Sequence, residues 1–391
     1  MTTSAEESRR FFEARIRLAR QLERSGVVLS GSLIEAFLNV PRHTFVPAFF
    51  RRDGETFRPW RPTDDDRDAW TAAVYGDDSL ITELDGVHVE DAEAREMTGV
   101  PTSSSTAPSL MADMLDALDV SKGSRVLEVG TGSGYNAALL CWLAGAENVT
   151  TVDDSDRLAS LARRRLASLG LQPRVLAADG AEGAPERAPF DRIIATCSVR
   201  RIPASWFEQC APNGILVVPI KGTLAGGMIA RLTKLPDGSA AGNIMHTPAA
   251  FMPLSSGPRP GVEIPPGENG VRRDSGLSGG VLDNWTFSFF AQLHMSASTV
   301  RTYESVAGTH LTTLFDAADG SVARVEDRRP GPGATVVTSG PRDLWAEIEN
   351  AHGEWLRLNR PRREWFTITA TPGKQVIGFR APDGQVFQWT L

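Results

Sequence analysis

The sequence predicts an α/β protein with a doubly wound parallel sheet, followed by a smaller C-terminal α+β domain. From residue 109 onward, apolar strand-like runs alternate with helix-like segments, a pattern that is typical of parallel sheets with right-handed crossovers. A glycine-rich turn follows the first run, and five of the nine tryptophans lie after residue 280, where the pattern changes. The predicted strands lie near residues 125–129, 149–152, 174–177, 191–196 and 215–220.

The first 100 residues are predicted to hold two helices and an acidic insertion. Residues 4–25 carry a capping box, Ser4 with Glu7, and an apolar face at helical spacing. A shorter helix is expected over residues 32–38, before two prolines that favour extended backbone. Residues 51–100 are acidic and irregular, and we interpret them as solvated loops, with a cover over the substrate as the alternative.

Residues 101–254 form the predicted core. A helix over residues 155–169 is expected to begin at Ser155 as its N-cap and to end at Gly170. Two later strand-like runs, 228–235 and 244–254, are separated by a Pro-Asp-Gly turn signal. They predict an antiparallel hairpin at the edge of the sheet.

The C-terminal part is predicted as a linker over residues 255–280 and an α+β domain over residues 281–391. The linker is rich in Gly, Pro and Ser. In the domain we expect a strand at 285–295 and a helix at 341–358, with Pro341 in its first turn. Hairpin turns are expected at Asp319-Gly320 and Asp383-Gly384. The tryptophans are expected to build the core of this domain, with a peptide-binding groove as the alternative.

Composition excludes several classes of protein. Hydrophobic residues make up 41% and charged residues 23%, and the net charge of -7 argues against a general nucleic-acid binder. No apolar stretch approaches the length of a membrane span, and the N-terminus lacks the features of a signal peptide. The three cysteines are well separated and the six histidines lack metal-ligand spacing. We therefore expect a cytoplasmic protein without a metal site.

The run from Val126 to Tyr135 is the strongest functional signal. A strand ends there in a turn with three glycines, and a helix follows at once, so that backbone N–H groups can face a ligand. Asp153 closes the next apolar run, where a carboxylate suits the two hydroxyls of a ribose. A tight strand–helix turn without a ligand is the alternative. The spacing Glu-x-Gly-x-Gly-x-Gly, which starts at Glu128, resembles the cofactor loop of S-adenosylmethionine-dependent methyltransferases more than that of dinucleotide enzymes.

Four separated segments together resemble the protein-L-isoaspartate O-methyltransferase family over about residues 28–254. They are Ile34–Pro47, Ser103–Ala112, the glycine loop, and Pro189–Ala195 with the short Ile-Pro, Pro-Asn-Gly and Val-Pro motifs that follow it. The resemblance implies a Rossmann-like methyltransferase fold, S-adenosyl-L-methionine as cofactor and a peptide or protein carboxylate as substrate.

The same resemblance implies which residues bind the cofactor. Asp153 would hold the ribose, and Asp179 would contact the adenine, with a helix N-cap as its alternative role. Their neighbours Asp154 and Gly180 are included in the predicted site. The loop residues of the predicted site are Glu128, Gly130, Thr131, Gly132, Ser133, Gly134 and Tyr135.

A hydroxyl residue two positions before a proline is implied to lie beside the transferred methyl group and the substrate carboxylate. Thr106 occupies that position, in Thr-Ala-Pro, where the family usually has serine. Threonine keeps the hydroxyl but has a stiffer χ1 angle. Ser105 or Ser104 could take the role if the local backbone is shifted by a residue.

The acidic insertion and the long C-terminal part resemble a longer variant of the family that is associated with ribosomally made, modified peptides. Those relatives methylate one aspartate of a constrained peptide, which then closes to an aspartimide. Repair of isoaspartyl residues is the alternative function, and a cofactor-binding module without transfer activity is a third. The sequence leaves the oligomeric state open.

Overall fold

The computed structural model describes residues 4–24, 30–63, 65–224, 227–254, 270–306, 309–328 and 333–391. The α-helices in these residues are α1 (Ser4–Arg24), α2 (Gly31–Asn39), α3 (Arg42–Phe45), α4 (Arg67–Val74), α5 (Pro108–Leu118), α6 (Tyr135–Ala144), α7 (Asp156–Ser168), α8 (Ala204–Gln209), α9 (Trp285–Gln292) and α10 (Leu344–Arg357).

The strands form three sheets. They are β1 (Phe49–Asp53), β2 (Thr56–Trp60), β3 (Leu80–Leu84), β4 (Val87–His88), β5 (Pro101–Ser105), β6 (Val126–Val129), β7 (Val149–Asp153), β8 (Arg174–Ala177), β9 (Phe190–Ala195), β10 (Cys210–Ile220), β11 (Met228–Lys234), β12 (Ala240–Ile244), β13 (Val271–Ser275), β14 (Thr299–Val306), β15 (Thr309–Asp316), β16 (Val322–Asp327), β17 (Ala334–Ser339), β18 (Phe366–Ala370), β19 (Gln375–Arg380) and β20 (Val386–Thr390).

A ten-stranded sheet forms the centre, in the order β20-β19-β18-β12-β11-β10-β9-β6-β7-β8. Its strands from β10 to β8 run parallel, which confirms the predicted doubly wound sheet. Both faces are covered, because Val126 packs among the N-terminal helices and α6, whereas its neighbour Leu127 packs among α8, α9 and the C-terminal strands. The strand order reverses at β6, which pairs with β7 on one side and β9 on the other.

The acidic insertion is more regular than the sequence predicts. Strands β1 to β5 form a small antiparallel sheet over residues 49–105 where loops were expected, and a short helix, α4, lies between β2 and β3. These strands have at most five residues, and the cluster of their own that they bury, around Phe50, Phe57 and Leu84, is small. Such short segments give little hydrophobic periodicity, which explains why the pattern did not reveal them.

The predicted hairpin after the core exists, but its second strand and its place in the sheet were wrong. β11 pairs with β12 across the Pro-Asp-Gly turn, and β12 ends at Ile244 rather than continuing to residue 254. The hairpin does not lie at the edge, because β18 pairs with the free side of β12. Residues 250–254 instead run back to Ser198, next to the end of β9.

The C-terminal residues contribute to two sheets. Strands β13 to β17 form an antiparallel sheet against α10, and β18 to β20 extend the central sheet. Val271–Ser275 is a strand within the predicted linker, whose residues 255–269 lie outside the described residues. Both predicted hairpin turns join neighbouring strands, β15 to β16 and β19 to β20. The predicted division of the chain into domains stays a prediction.

Two C-terminal elements differ from their predictions. The expected strand at 285–295 is helix α9, whose first turn is capped by the Asn284 side chain. After the exposed Trp285, its residues from Phe287 to Gln292 are all buried and show no helical period, so the sequence run was ambiguous. Helix α10 begins at Leu344 rather than Pro341, because Asp343 accepts hydrogen bonds from the backbone N–H groups of residues 345 and 346.

No helix in the described parts of the chain is long and apolar enough to cross a bilayer. The three cysteines are buried and unbonded to one another.

Candidate active site

A cavity of about 350 Å³ opens where the carboxyl ends of β6 and β7 face strands β3 and β5 of the N-terminal sheet. This is the point at which the strand order of the central sheet reverses, the usual ligand position in open α/β sheets. Its volume is within the range of small-molecule sites. The described lining falls into three groups: the glycine loop with the end of β7, the residues of β3 and β5, and the segment Ala250–Leu254.

The glycine loop has a backbone that other residues would disturb. Gly130 has a φ angle of +99°, and a Cβ atom there would lie 2.6 Å from Thr196 Oγ1. Gly134 caps α6 with a φ angle of +86°, and its Cβ would lie 3.0 Å from the Cβ of Ala162 on α7. These close approaches keep the loop against the sheet and α7, so that the turn opens toward the cavity.

Asp153 lies at the end of β7, in the cavity wall. Its Oδ2 accepts a hydrogen bond from the backbone N–H of Gly132 at 2.8 Å, and its Oδ1 accepts one from Ser155 at 3.1 Å. Burial raises the pKa of Asp153 above its ordinary value, although both hydrogen bonds favour the ionised form. Each oxygen keeps a lone pair with which to accept a ligand hydroxyl.

Glu128 was predicted to be part of the cofactor site, but its side chain lies behind the glycine loop and is not part of the cavity lining. Its two oxygens accept hydrogen bonds from Asn136 Nδ2 at 2.8 Å and Thr151 Oγ1 at 2.6 Å. Complete burial raises the pKa of Glu128 to about 7. The residue therefore joins β6, β7 and α6 beneath the loop rather than facing a ligand.

Thr106 and Ser105 line the cavity at the end of β5. Ser105 is the last residue of β5, which pairs with β3, and Pro108 opens helix α5 two residues after Thr106. Ser104 also lines the cavity, so all three candidates for the catalytic hydroxyl lie in its wall.

Arg42 holds this hydroxyl segment in place, a role that sequence reasoning missed. Its guanidinium donates to the backbone oxygens of Ser105 at 3.2 Å and Thr106 at 3.0 Å. It also donates to the carbonyls of Val74, Gly76 and Asp78. Arg42 is fully buried, which lowers its pKa to about 10, so it stays charged at neutral pH. The signal in the sequence was the Pro-Arg-His triplet within the first family segment.

The remaining predicted residues divide between the lining and its surroundings. The side chain of Asp179 is exposed outside the lining, where it accepts a hydrogen bond from the backbone N–H of Ala181 at 2.8 Å. Gly134 also lies outside the lining, beneath the loop. The predicted residues that do line the cavity, besides Thr106, Ser105 and Asp153, are Gly130, Thr131, Gly132, Ser133, Tyr135, Asp154 and Gly180.

One wall comes from a segment that was predicted as part of a strand. The backbone of Ser198 donates to the carbonyl of Met252 at 2.7 Å and accepts from the N–H of Leu254 at 2.9 Å. A Cβ on Gly180 would lie 2.8 Å from Leu254 Cδ1, so this wall closes against the position after β8. No local pattern in residues 250–254 indicates this contact. Within the described residues, no cluster of His, Cys, Asp or Glu could hold a metal ion.

The fold and the cavity define a class of protein. A glycine loop at the strand-order reversal, with an acidic residue at the end of the next strand, is the cofactor site of the Rossmann-like methyltransferases that use S-adenosylmethionine. A model of the family described as "Protein-L-isoaspartate(D-aspartate) O-methyltransferase (PCMT)" matches residues 91–259. The chain belongs to the protein-L-isoaspartate O-methyltransferase family, because curated members are 32% and 34% identical to it over nearly their whole length.

Among these relatives is the protein-L-isoaspartate O-methyltransferase of Ignicoccus hospitalis, which is 32% identical over 244 residues, 62% of this chain and 97% of the relative. The enzyme of the same name from Methanopyrus kandleri is 34% identical over 253 residues, 64% of this chain and 95% of the relative. A solved protein-L-isoaspartate O-methyltransferase aligns with a TM-score of 0.51 at 23% identity, over 93% of this chain and 99% of its own. Members of this family are carboxyl O-methyltransferases with S-adenosylmethionine as the methyl donor.

Proposed function

We propose that this chain transfers a methyl group from S-adenosylmethionine to a side-chain or isoaspartyl carboxylate of a peptide or protein. The observation that carries the proposal is a single cavity shared by the Thr106 segment, the glycine loop and Asp153. The Thr106 segment is the implied substrate position, and the glycine loop and Asp153 are the implied cofactor position. The two positions are separated by some 25 to 50 residues along the chain.

The residues present fit the cofactor. Asp153 offers carboxylate oxygens to ribose hydroxyls, and Gly132, with a φ angle of +49°, leaves room for a ligand to approach the backbone. Asn136 also lines the cavity, and its buried Oδ1 has no hydrogen-bond partner among the described residues. This oxygen could accept a hydrogen bond from a ligand. When bound, the cofactor supplies a methyl group that is activated by its sulfonium.

Methyl transfer to a carboxylate needs no strong general acid or base. An aspartyl carboxylate is already ionised at neutral pH, so the protein has to align it and exclude water from it. The hydroxyl of Thr106 would donate a hydrogen bond to one carboxylate oxygen and leave the other free to attack. Because Arg42 fixes the backbone on both sides of this hydroxyl, its position is set before the substrate arrives.

The isoaspartyl carboxylate is the substrate that family membership supports best. The methyl ester formed on it is an activated acyl group, which the next backbone nitrogen can attack with loss of methanol. The resulting succinimide hydrolyses in part to a normal aspartyl linkage, which is a repair reaction. A cytoplasmic location is part of this proposal and stays a prediction.

A normal aspartate in a modified, constrained peptide is the second candidate. The observation in its favour is the insertion, since Ile81 and Glu83 of β3 and the preceding Ser79 line the cavity. The C-terminal part does not favour it, because the fold of a solved protein-L-isoaspartate O-methyltransferase aligns over 93% of this chain.

Mass spectrometry on two substrates tests the proposal. We expect a short isoaspartyl peptide, incubated with S-adenosylmethionine, to gain one methyl group and then to lose methanol. The same sequence with a normal aspartate is the matched control. Methylation of a ring-constrained peptide at a normal aspartate, with no reaction of the isoaspartyl peptide, would establish the second candidate. No methylation of any of the three would overturn both.

A further inference from the structure

The charge of the cavity is unbalanced. Its described lining contains three carboxylates, Glu83, Asp153 and Asp154, and neither lysine, arginine nor histidine. Glu83 and Asp153 are buried, whereas Asp154 is exposed, and a buried carboxylate is costly unless an opposite charge accompanies it. A substrate carboxylate would add a further negative charge. The occupants of this cavity must therefore bring positive charge with them.

Glu83 is the carboxylate that the family pattern leaves unexplained. It lies on β3 opposite Ser103 of β5, and only 7% of it is exposed. Its Oε1 accepts a hydrogen bond from Thr102 Oγ1 at 2.8 Å. No ion pair joins Glu83 to a basic residue in the described chain, whereas Glu90, in the same insertion, pairs with Arg165 at 2.8 Å.

The position of Glu83 is next to the cofactor half of the cavity. A Cβ on Gly132 would lie 3.7 Å from the Ser104 carbonyl and 3.8 Å from Ser103 Oγ, so β5 touches the glycine loop close to Glu83. Glu83 and Asp153 both line this cavity, and the charge of Glu83 adds to burial in raising the pKa of Asp153. The unpartnered Oδ1 of Asn136, a residue that is 7% exposed, is a further acceptor in this lining.

We propose that Glu83 binds a cationic ammonium or guanidinium group of the molecule that occupies this cavity. The inference rests on the proposed function, which supplies two sources of such a group. One is the ammonium of the methyl donor's amino-acid end, and the other is a basic residue beside the methylated position of the peptide. In either case the cation offsets the carboxylates that surround the reaction.

Calorimetric titration with S-adenosylhomocysteine tests the first source without any turnover. We expect Glu83→Gln to bind S-adenosylhomocysteine about tenfold or more weakly, because a charge-assisted hydrogen bond is lost. Its affinity for 5′-methylthioadenosine, which lacks the amino-acid end, should stay the same. The amide oxygen introduced by Glu83→Gln can still accept the Thr102 hydrogen bond, and Glu96→Gln, an exposed change in the same insertion, is the matched control.

Steady-state kinetics with two isoaspartyl peptides tests the second source. The peptides differ only in a lysine or a leucine next to the isoaspartyl residue. If Glu83 binds the peptide cation, Glu83→Gln raises KM for the lysine peptide alone and leaves S-adenosylhomocysteine affinity unchanged. Equal binding and equal peptide preference in both proteins would overturn the inference. Failure of the unmodified protein to bind S-adenosylhomocysteine would instead overturn the proposed function, and the inference with it.

Discussion

Asp153 holds the glycine loop and faces the cavity at the same time, so its removal should affect the cofactor first. We expect Asp153→Ala to weaken S-adenosylhomocysteine binding by roughly 1–3 kcal/mol, the cost of losing hydrogen bonds to a charged group. Isothermal titration measures the change. Asp179→Ala is the matched control, since that side chain lies outside the lining. A larger effect of Asp179→Ala would show that the adenine lies at that residue after all.

The hydroxyl of Thr106 should matter for transfer rather than for cofactor binding. We expect Thr106→Ala to lower kcat for methyl transfer by about tenfold or more, with unchanged affinity for S-adenosylhomocysteine, and Thr106→Ser to restore the rate. Kinetics with a saturating isoaspartyl peptide, alongside titration, separates the two quantities. If Ser105→Ala loses activity and Thr106→Ala does not, the catalytic position is one residue earlier.

Glu128 should make stability depend on pH. Its pKa is about 7 in the folded protein and near 4.5 in the unfolded chain, so the unfolded state ionises first as pH rises. The contribution of Glu128 to stability therefore falls between about pH 4.5 and 7 and is constant above. We expect the free energy of unfolding of Glu128→Gln, relative to the unmodified protein, to rise across this range by at most about 1.4 kcal/mol per pH unit. Urea denaturation at several pH values checks this, and a flat difference would contradict it.

At the scale of elements, Arg42 connects α3, the end of α4 and the segment between β5 and α5 through five backbone carbonyls. Lysine has neither the planar fork nor enough donors to replace it. We expect Arg42→Lys to lower the free energy of unfolding by about 3 kcal/mol or more, since buried carbonyls lose their donors. Chemical denaturation measures the loss, and Arg58→Lys, on an exposed ion pair, is the control. A loss equal to that of the control would show that the carbonyls find other donors.

The inserted sheet is attached to the cofactor side by ion pairs. Arg165 of α7 donates to Glu90 at 2.8 Å and to the carbonyl of Ser133 in the glycine loop at 3.3 Å, and Arg157 pairs with Asp91. The insertion is thus part of the wall around the cofactor rather than a set of solvated loops. Two of its acidic residues, Glu90 and Asp91, form the ion pairs with these arginines.

At the scale of the molecule, the last three strands belong to the same sheet as the cofactor site, so both parts should unfold together. Ile368 on β18 is fully buried, and we expect Ile368→Ala to lower the free energy of unfolding by about 2–5 kcal/mol. Calorimetry should show one transition that S-adenosylhomocysteine shifts as a whole. Thr367→Ala, exposed on the same strand, should change little. Two transitions, of which only one responds to the ligand, would mean that the C-terminal strands form an independent unit.

The sequence by itself determined the parallel sheet, the glycine loop and the acidic residue at the end of β7. These are local features, in which hydrophobic runs, turn residues and spacing all lie within a few tens of residues. A short motif next to a helix start also singled out Thr106, which lines the cavity, and its catalytic role stays a prediction. Helix α9 was wrongly predicted as a strand, because burial on nearly every face leaves its sequence without a helical hydrophobic period.

Only the tertiary structure decided which distant residues meet. Arg42 reaches Thr106 across more than sixty residues, Ser198 pairs with Met252 in the cavity wall, and β18 pairs with β12 to extend the central sheet. These contacts depend on long-range packing and on backbone groups that find partners far along the chain, and no local pattern encodes them. The same reason explains Glu128, whose place in the motif suggested a ligand contact but whose burial turned it toward Asn136 and Thr151.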